Sequence, residues 1–225
     1  MIGVLAGMGP KSTGPFIDIV VEQCQKIYGA KYDIDFPHMM IYSCPTPFYI
    51  DREINHLEME NAIINGAKRL EQTGVEFIAM PCNTAHLYID KIKNSISVPI
   101  INMVEETIIT IPKSTKRATL LATDSTLQSG IYQDYLLKSK IDFKHNEIWQ
   151  KTVSGIISNI KNGKLQDARC SWNNLISELS GLVDTVIIAC TDLNVISDYK
   201  VKGLHFVDSS TCLAKAVVNK FLSKN

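Results

Sequence analysis

Hydrophobic and polar residues alternate along the chain in two kinds of segment: short runs rich in β-branched residues, and longer stretches with helical periodicity. Short apolar runs separated by helical stretches are typical of an α/β protein with a mostly parallel sheet. The predicted strands are Ile2–Ala6, His38–Tyr42, Phe77–Met80, Ile100–Met103, Ala118–Ala122, Asp184–Ala189 and His205–Val207. The predicted helices are Ser12–Tyr28, Ile54–Gln72, Thr84–Ser95, Val104–Ile111, Leu127–Leu137, Thr152–Asn162, Leu165–Leu179 and Thr211–Leu222.

Three segments of the first half of the chain recur in the same order in the second half. The pairs are IGVLAGMGPKST with ATLLATDSTLQS, EFIAMPCNTAH with DTVIIACTDLN, and VPIINMVEET with LHFVDSSTCL. Coincidence among common strand–helix units is the alternative to a duplication. A duplication predicts two similar Rossmann-like (flavodoxin-like) parallel-sheet halves related by a pseudo-twofold axis. We place the first domain at residues 1–101 plus 208–225, with the last helix packed back on the first half, and the second domain at residues 102–207.

Two cysteines occupy matching positions in this repeat. Cys82 follows one apolar run in MPCNTAH, and Cys190 follows another in IIACTDLN. Ligands of parallel sheets bind outside the carboxyl ends of the strands, where loops and helix N-termini offer N–H groups. If the halves face each other, the loops after four strands converge on one cleft, with a thiol from each side. A single cysteine of this kind is usually a packed core residue, but a matched pair predicts catalysis.

Two opposed thiols can invert the configuration of a carbon atom. A thiol has a pKa of about 8.5, which N–H donors and helix N-termini lower, so one cysteine can act as a base while the other acts as an acid. The pair then holds one proton between its members, and the reverse reaction exchanges their roles. A racemase that needs no cofactor fits this symmetry. The sequence contains no glycine-rich phosphate fingerprint and no lysine in a setting that suggests a Schiff base.

Composition and charge exclude several other classes. The chain of 225 residues carries 23 Lys plus Arg and 23 Asp plus Glu, so no net field recruits nucleic acid or an anionic membrane. No signal peptide and no membrane-spanning stretch are evident, and we expect neither kind of partner. The 6 cysteines form no Cys-x-x-Cys pair, which argues against a zinc site or a disulfide framework. We therefore expect reduced thiols, a cytoplasmic location and no bound metal.

The chain resembles the aspartate/glutamate racemase family, and within it the aspartate racemase branch. The resemblance covers most of the chain, from Gly3 to about Asp208. The stretches that carry it are GVLAGMGPKST, PHMMIYSCPTPFYIDR, MPCNTAH, VPIINMVEET, LLATDSTLQSGIY, IWQKTVSGI and IIACTDL.

The resemblance implies roles for individual residues. Cys82 and Cys190 correspond to the two acid/base cysteines. Arg52 and Lys151 match basic residues near the site, whose positive charges suit a side-chain carboxylate. Residues of the substrate loops are implied at Met8, Asn83, Thr84, Thr123, Thr126 and Thr191.

The resemblance also implies a homodimer and a cofactor-independent reaction that interconverts L- and D-aspartate. The chain departs from the family pattern at Ala6, where a glycine is common, and at Asp192, where a glutamate is common. The shorter side chain of Asp192 changes the contact expected beside Cys190.

Other functions remain open at this stage. Within the same superfamily the alternatives are racemisation of glutamate, isomerisation of maleate or decarboxylation of a malonate-type acid. A non-catalytic protein that binds a dicarboxylate is an alternative from a different class. His86 follows the Cys82 motif and suggests a Cys–His hydrolase, but a hydrolase gives no role to the second cysteine motif.

Overall fold

The protein folds around two separate four-stranded parallel sheets. The computed structural model describes residues 1–49, 52–196 and 201–223. The first sheet contains β1 (Ile2–Ala6), β2 (Met39–Ser43), β3 (Phe77–Ala79) and β4 (Ile100–Ile101). The second contains β5 (Arg117–Ala122), β6 (Asp142–Phe143), β7 (Thr185–Ala189) and β8 (His205–Asp208).

The two sheets have the same topology. The strand order is β2-β1-β3-β4 in one and β6-β5-β7-β8 in the other, and every pairing between these strands is parallel. The repeated sequence segments therefore fall on equivalent strands: β1 matches β5, β3 matches β7, and β4 matches β8. This arrangement confirms the predicted fold class of two similar parallel-sheet halves. The domain boundaries stay a prediction.

Strand β6 is missing from the sequence prediction. Its two residues pair only with Arg117 and Ala118 at the start of β5. Asp142 is exposed and Phe143 is half-buried, so this strand carries no continuous apolar run. A two-residue edge strand gives too short a pattern for hydrophobic periodicity to detect.

Helices cover the faces of both sheets, and no helix within the described ranges is long and apolar enough to cross a membrane. Asn146 caps α7 (Glu147–Lys161) by accepting a 2.8 Å hydrogen bond from the Trp149 amide, so this helix begins before the predicted Thr152. The stretch predicted as one helix at Leu127–Leu137 is divided at Gly130, whose φ of +74° no continuous helix can accommodate. The helices are α1 (Thr13–Tyr28), α2 (His56–Glu71), α3 (Ile89–Lys93), α4 (Met103–Ile108), α5 (Asp124–Gln128), α6 (Ile131–Lys138), α7 (Glu147–Lys161), α8 (Leu165–Leu179) and α9 (Ser209–Leu222).

The last helix joins the two halves. It begins directly after β8 of the second sheet, with the Asp208 side chain capping its first turn. Its apolar face is buried in the same cluster as β1 and α1, where Leu213 and Val217 lie with Phe16 and Val20. The chain therefore returns to the first half after completing the second sheet, which fixes the two sets of strand ends relative to each other.

Candidate active site

A cavity of about 270 Å³ lies between the two halves, at the carboxyl ends of their strands. Both cysteines of the repeated motifs line it, although Cys82 is only 8% exposed and Cys190 only 7% exposed. Loops after β1, β3, β5 and β7 contribute to its wall. The other lining residues are Gly7, Met8, Gly9, Pro10, Pro45, Thr46, Phe48, Met59, Asn83, Thr84, Thr123, Lys161, Ala189, Thr191 and Asp192.

Gly7 shapes the loop that follows β1. Its φ is +88°, in the left-handed region that favours glycine. A Cβ atom at this position would lie 2.6 Å from the backbone nitrogen of Cys44, so a larger residue has no room. Ala6, the departure from the family pattern, lies in β1 without a positive φ, and an alanine is compatible with that backbone.

Threonine hydroxyls connect each cysteine loop to the opposite half. Thr84, two residues after Cys82, lies 2.9 Å from the hydroxyl of Thr123 and 3.1 Å from that of Thr126, both in the loop region after β5. Thr191, next to Cys190, donates a 3.1 Å hydrogen bond to Ser12 in the segment after β1. The contact of Thr84 with the second half is the counterpart of the contact of Thr191 with the first half. Each cysteine loop is thus held by the first loop region of the other half.

Asn83 is held at both ends of its side-chain amide. Its Oδ1 accepts a 2.6 Å hydrogen bond from the Tyr132 hydroxyl, and its Nδ2 donates a 2.9 Å bond to Ser209 Oγ. All three side chains are buried. Tyr132 belongs to the second half, whereas Ser209 begins the helix that returns to the first half.

His86 supports the Cys82 loop from behind. Its Nε2 accepts a hydrogen bond from the Met103 amide, so Nδ1 carries the proton and donates to the carbonyl oxygen of Cys82 at 2.8 Å. Burial lowers the pKa of His86 below its ordinary value, which keeps the ring neutral. Both ring nitrogens are engaged by backbone groups. This arrangement leaves no nitrogen to activate a thiol and argues against the Cys–His hydrolase alternative.

Burial favours the protonated form of both thiols. It raises the pKa of Cys82 to about 11, with backbone N–H donors and the Lys161 charge opposing the rise and the Asp192 charge adding to it. Burial also raises the pKa of Cys190 well above its ordinary value, and the Asp192 charge is the next cause. A cation in the cavity would favour the thiolate form of either residue.

Lys161 brings a positive charge to the cavity wall. Its Nζ lies 3.0 Å from Asp192 Oδ2, and its side chain is 23% exposed against 7% for the aspartate. The same ammonium group lies 5.6 Å from the centre of the Phe48 ring. The backbone of Gly9 passes close to this ion pair, since a Cβ there would lie 3.0 Å from Lys161 Nζ. Asp192 therefore makes a contact inside the site despite its shorter side chain.

Lys151 lies elsewhere. It is exposed on α7 and lines neither this cavity nor its larger neighbour. The predicted helix began at Thr152, whereas α7 begins at Glu147 and includes Lys151 as an exposed residue. Lys161 follows the buried residues Val153 and Ile157 at intervals of four. Helical periodicity is a signal in the sequence that could have identified Lys161.

Arg52 lies in a second, larger cavity of about 730 Å³. Phe48 and Thr123 line both cavities, so the two are adjacent. The Arg52 guanidinium lies 4.4 Å from the centre of the Tyr49 ring. The Arg52 charge therefore lies beside the cysteine cavity and not in the wall of that cavity.

The structure brings most of the predicted site residues together. Thr126 contacts Thr84 but is buried behind the cavity wall, while Arg52 and Lys151 lie outside that wall. The sequence interpretation missed Lys161, Tyr132 and the serines that bond to the cysteine loops. The predicted residues that line the cysteine cavity are Met8, Cys82, Asn83, Thr84, Thr123, Cys190 and Thr191.

Comparisons with known proteins identify the family of the chain. Residues 5–217 match the family model described as Asp/Glu/Hydantoin racemase. The chain is 52% identical to the broad specificity amino-acid racemase RacX of Bacillus subtilis (strain 168) over 224 residues, which cover 99% of each protein.

Solved structures show the same architecture. The aspartate racemase of Picrophilus torridus superimposes with a TM-score of 0.84 at 30% identity, over 97% of this chain and 93% of that one. A glutamate racemase of Bacillus anthracis, isoform RacE1, gives a TM-score of 0.69 at 17% identity, over 100% of this chain and 82% of that one. At that lower identity the likeness concerns the fold alone.

Proposed function

Because the chain belongs to the Asp/Glu/hydantoin racemase family, we propose that it racemises amino acids with Cys82 and Cys190 as two opposed acid/base groups. One observation carries this proposal: two thiols from equivalent strand ends of the two halves line a single cavity. A hydrolase or a simple binding protein has no use for a second thiol in an equivalent place. The proposed reaction needs no cofactor.

The chemistry follows from the positions of the two thiols. One cysteine, as a thiolate, takes the proton from the α-carbon of the amino acid. The other cysteine, still protonated, gives its Sγ–H proton to the opposite face of the same carbon. The configuration is inverted, and the negative charge has moved from one sulfur to the other. The next turnover in the reverse direction starts from these exchanged protonation states of the two cysteines. Because the two thiols share one negative charge, they titrate as a pair.

The substrate itself helps to form the thiolate. Burial raises the pKa values of both cysteines because it disfavours a negative charge. A bound amino acid brings an ammonium group into this space, and the opposite charge favours the ionised sulfur. We assign Asn83, Thr84, Thr123 and Thr191 to the carboxylate and ammonium groups of the substrate, because these side chains line the cavity beside the cysteines. Met8 contributes to the wall of the first loop.

Aspartate is the first substrate that we propose. The positive charge of Lys161 at the cavity wall and that of Arg52 in the adjoining cavity provide two places for a side-chain carboxylate. This assignment transfers the role predicted for Lys151 to Lys161, which the fold brings into the cavity. A small acidic amino acid also suits a volume of about 270 Å³.

A wider substrate range is the second candidate, and the Lys161–Asp192 pair favours it. Among the described residues that line the cysteine cavity, these two carry the only formal charges, and they neutralise each other. The adjoining cavity of about 730 Å³ offers room for longer side chains. The relative from Bacillus subtilis is itself named for broad specificity. Under this candidate the two thiols act in the same way on neutral and basic amino acids.

One experiment tests the reaction and its range together. The purified protein is incubated in D2O with the L-form of aspartate, glutamate, alanine or lysine, and proton NMR and optical rotation are followed in the same samples. Loss of both the α-proton signal and the rotation demonstrates racemisation of that amino acid. Turnover of aspartate alone supports the first candidate, and turnover of several amino acids supports the second. No change with any amino acid would overturn the racemase proposal and favour a binding protein.

A further inference from the structure

A buried tyrosine of the second half touches the loop that carries the first half's cysteine. Tyr132 is 0% exposed and lies in the same apolar cluster as Ala122 and Ala189, which directly precede Thr123 and Cys190. Its hydroxyl donates a 2.6 Å hydrogen bond to Oδ1 of Asn83, the neighbour of Cys82. One phenol therefore spans the boundary between the half that carries Cys190 and the loop that carries Cys82.

The side-chain amide of Asn83 is fixed in one orientation. Ser209 Oγ accepts a 2.9 Å hydrogen bond from Asn83 Nδ2, so both ends of the amide are fixed by groups outside its own loop. Burial raises the pKa of Tyr132 far above its ordinary value, and the phenol keeps the proton that it donates. Each buried polar atom in this chain of contacts has a partner, which makes the arrangement rigid.

We infer that Tyr132 is a positioning residue, which fixes the orientation of Asn83 and the separation of Cys82 from Cys190. This inference rests on the proposed function, since it assigns a role in the two-thiol reaction. Proton transfer at both faces of one carbon requires each sulfur to be held in place to within a fraction of an ångström. A hydrogen bond from the Cys190 half to the residue next to Cys82 constrains that distance directly. It also keeps Asn83 Nδ2, rather than Oδ1, as the end bonded to Ser209.

Removal of a single oxygen atom tests this role. Tyr132→Phe keeps the ring in the core but leaves the buried Oδ1 of Asn83 without its donor. Tyr135→Phe is the matched control, because Tyr135 lies in the same helix and its hydroxyl makes no hydrogen bond within the described part of the chain. We expect kcat of Tyr132→Phe to fall about tenfold, the effect of one lost hydrogen bond, with a smaller rise in KM because Asn83 is also assigned to the substrate. Equal kcat values for the two variants would overturn the inference.

Coupling to Asn83 separates positioning from general stability. If Tyr132 acts through Asn83, the Phe substitution has almost no further effect on kcat in an Asn83→Ala background. If the tyrosine merely stabilises the fold, the two losses multiply. A loss of kcat in the double variant equal to the product of the two single losses would therefore contradict the inference.

A measurement without turnover keeps the inference testable if no amino acid is racemised. Alkylation of thiols by iodoacetamide is followed by mass spectrometry of the Cys82 peptide. The Cys24 peptide provides an internal reference, because Cys24 is buried in the cluster beneath the first sheet. Loosening of the Cys82 loop in Tyr132→Phe raises the ratio of Cys82 to Cys24 alkylation several-fold over Tyr135→Phe. An unchanged ratio overturns the positioning role, whereas absence of turnover with a raised ratio overturns only the racemase proposal.

Discussion

The ammonium group of Lys161 lies 3.0 Å from the carboxylate of Asp192, two residues beyond Cys190. This ion pair joins the last residue of α7 to the loop of the second cysteine. The two charges act on both thiols in opposite directions, since Asp192 raises the pKa of Cys82 and Cys190 while Lys161 lowers both. The pair therefore sets the local charge of the site in addition to any contact with a substrate.

Loss of the Lys161 charge is expected to impair the reaction. Lys161→Met removes the group that favours the thiolates and leaves the buried Asp192 carboxylate unpaired. We expect kcat/KM for aspartate to fall by tenfold or more, which corresponds to about 1.4 kcal/mol of transition-state stabilisation. Lys151→Met is the control, and its kinetics should match those of the native protein. A larger loss in Lys151→Met than in Lys161→Met would restore the sequence-based assignment.

A double variant separates the two roles of Lys161. Lys161→Met/Asp192→Asn removes the charges of both partners, so the unpaired carboxylate no longer opposes ionisation of the thiols. Recovery of kcat/KM in the double variant would show that Lys161 acts mainly by neutralising Asp192. Persistence of the loss, confined to acidic substrates, would show that Lys161 binds their side-chain carboxylate. Steady-state kinetics with aspartate and alanine distinguish these results.

The sequence predicts the fold well because its signals are local. Runs such as Ile2–Ala6 and Thr185–Ala189 are buried along their whole length, and each ends at a loop of the cavity. The two cysteines were found because strand ends of parallel sheets meet at one edge. Lys151 was assigned from its place in a motif of the resembling family, and that motif does not reveal that the side chain is exposed on α7.

The residues that hold the Asn83 side chain could not be predicted from local sequence patterns. Tyr132 and Ser209 are far from Asn83 in sequence, and their hydrogen bonds form only when the two halves are docked. A buried tyrosine in a helix and a serine at a helix start have ordinary structural explanations in each segment alone. Only the tertiary arrangement makes them neighbours of the loop that carries Cys82.

Each proposed catalytic thiol should be indispensable for racemisation but not for proton exchange. Cys82→Ser or Cys190→Ser replaces one sulfur by a much weaker acid and base, and we expect kcat to fall by about three orders of magnitude or more. The remaining thiol can still exchange the α-proton of one enantiomer with D2O. Cys170→Ser is the control, because Cys170 is exposed on α8. NMR with each enantiomer of aspartate checks this, and racemisation at the native rate by both variants would exclude the two-base scheme.

The reactivity of Cys82 should rise steeply with pH in the free protein. Only the thiolate reacts with iodoacetamide, and burial sets the pKa of Cys82 at about 11. The ionised fraction below that pKa grows tenfold per pH unit, so alkylation should accelerate about a hundredfold from pH 7 to pH 9. Asp192→Asn removes a charge that raises the pKa and should speed the reaction at a given pH. A plateau of the rate below pH 9 would contradict this prediction.

The first loop should tolerate no side chain at Gly7. Gly7→Ala places a Cβ 2.6 Å from the Cys44 nitrogen at a φ of +88°, so the backbone must move and the Met8 wall of the cavity with it. We expect a loss of about 1–3 kcal/mol in the free energy of unfolding, measured by urea denaturation, together with weaker substrate binding. Gly155→Ala is the matched control: Gly155 is exposed in the interior of α7, and beyond its chain neighbours and its own helix backbone no heavy atom lies within 4 Å of the added Cβ. Since alanine favours a helix over glycine by about 0.5–1 kcal/mol, this variant should be as stable as the native protein or more so. If Gly7→Ala unfolded at the same urea concentration as Gly155→Ala, the loop would not depend on the left-handed glycine.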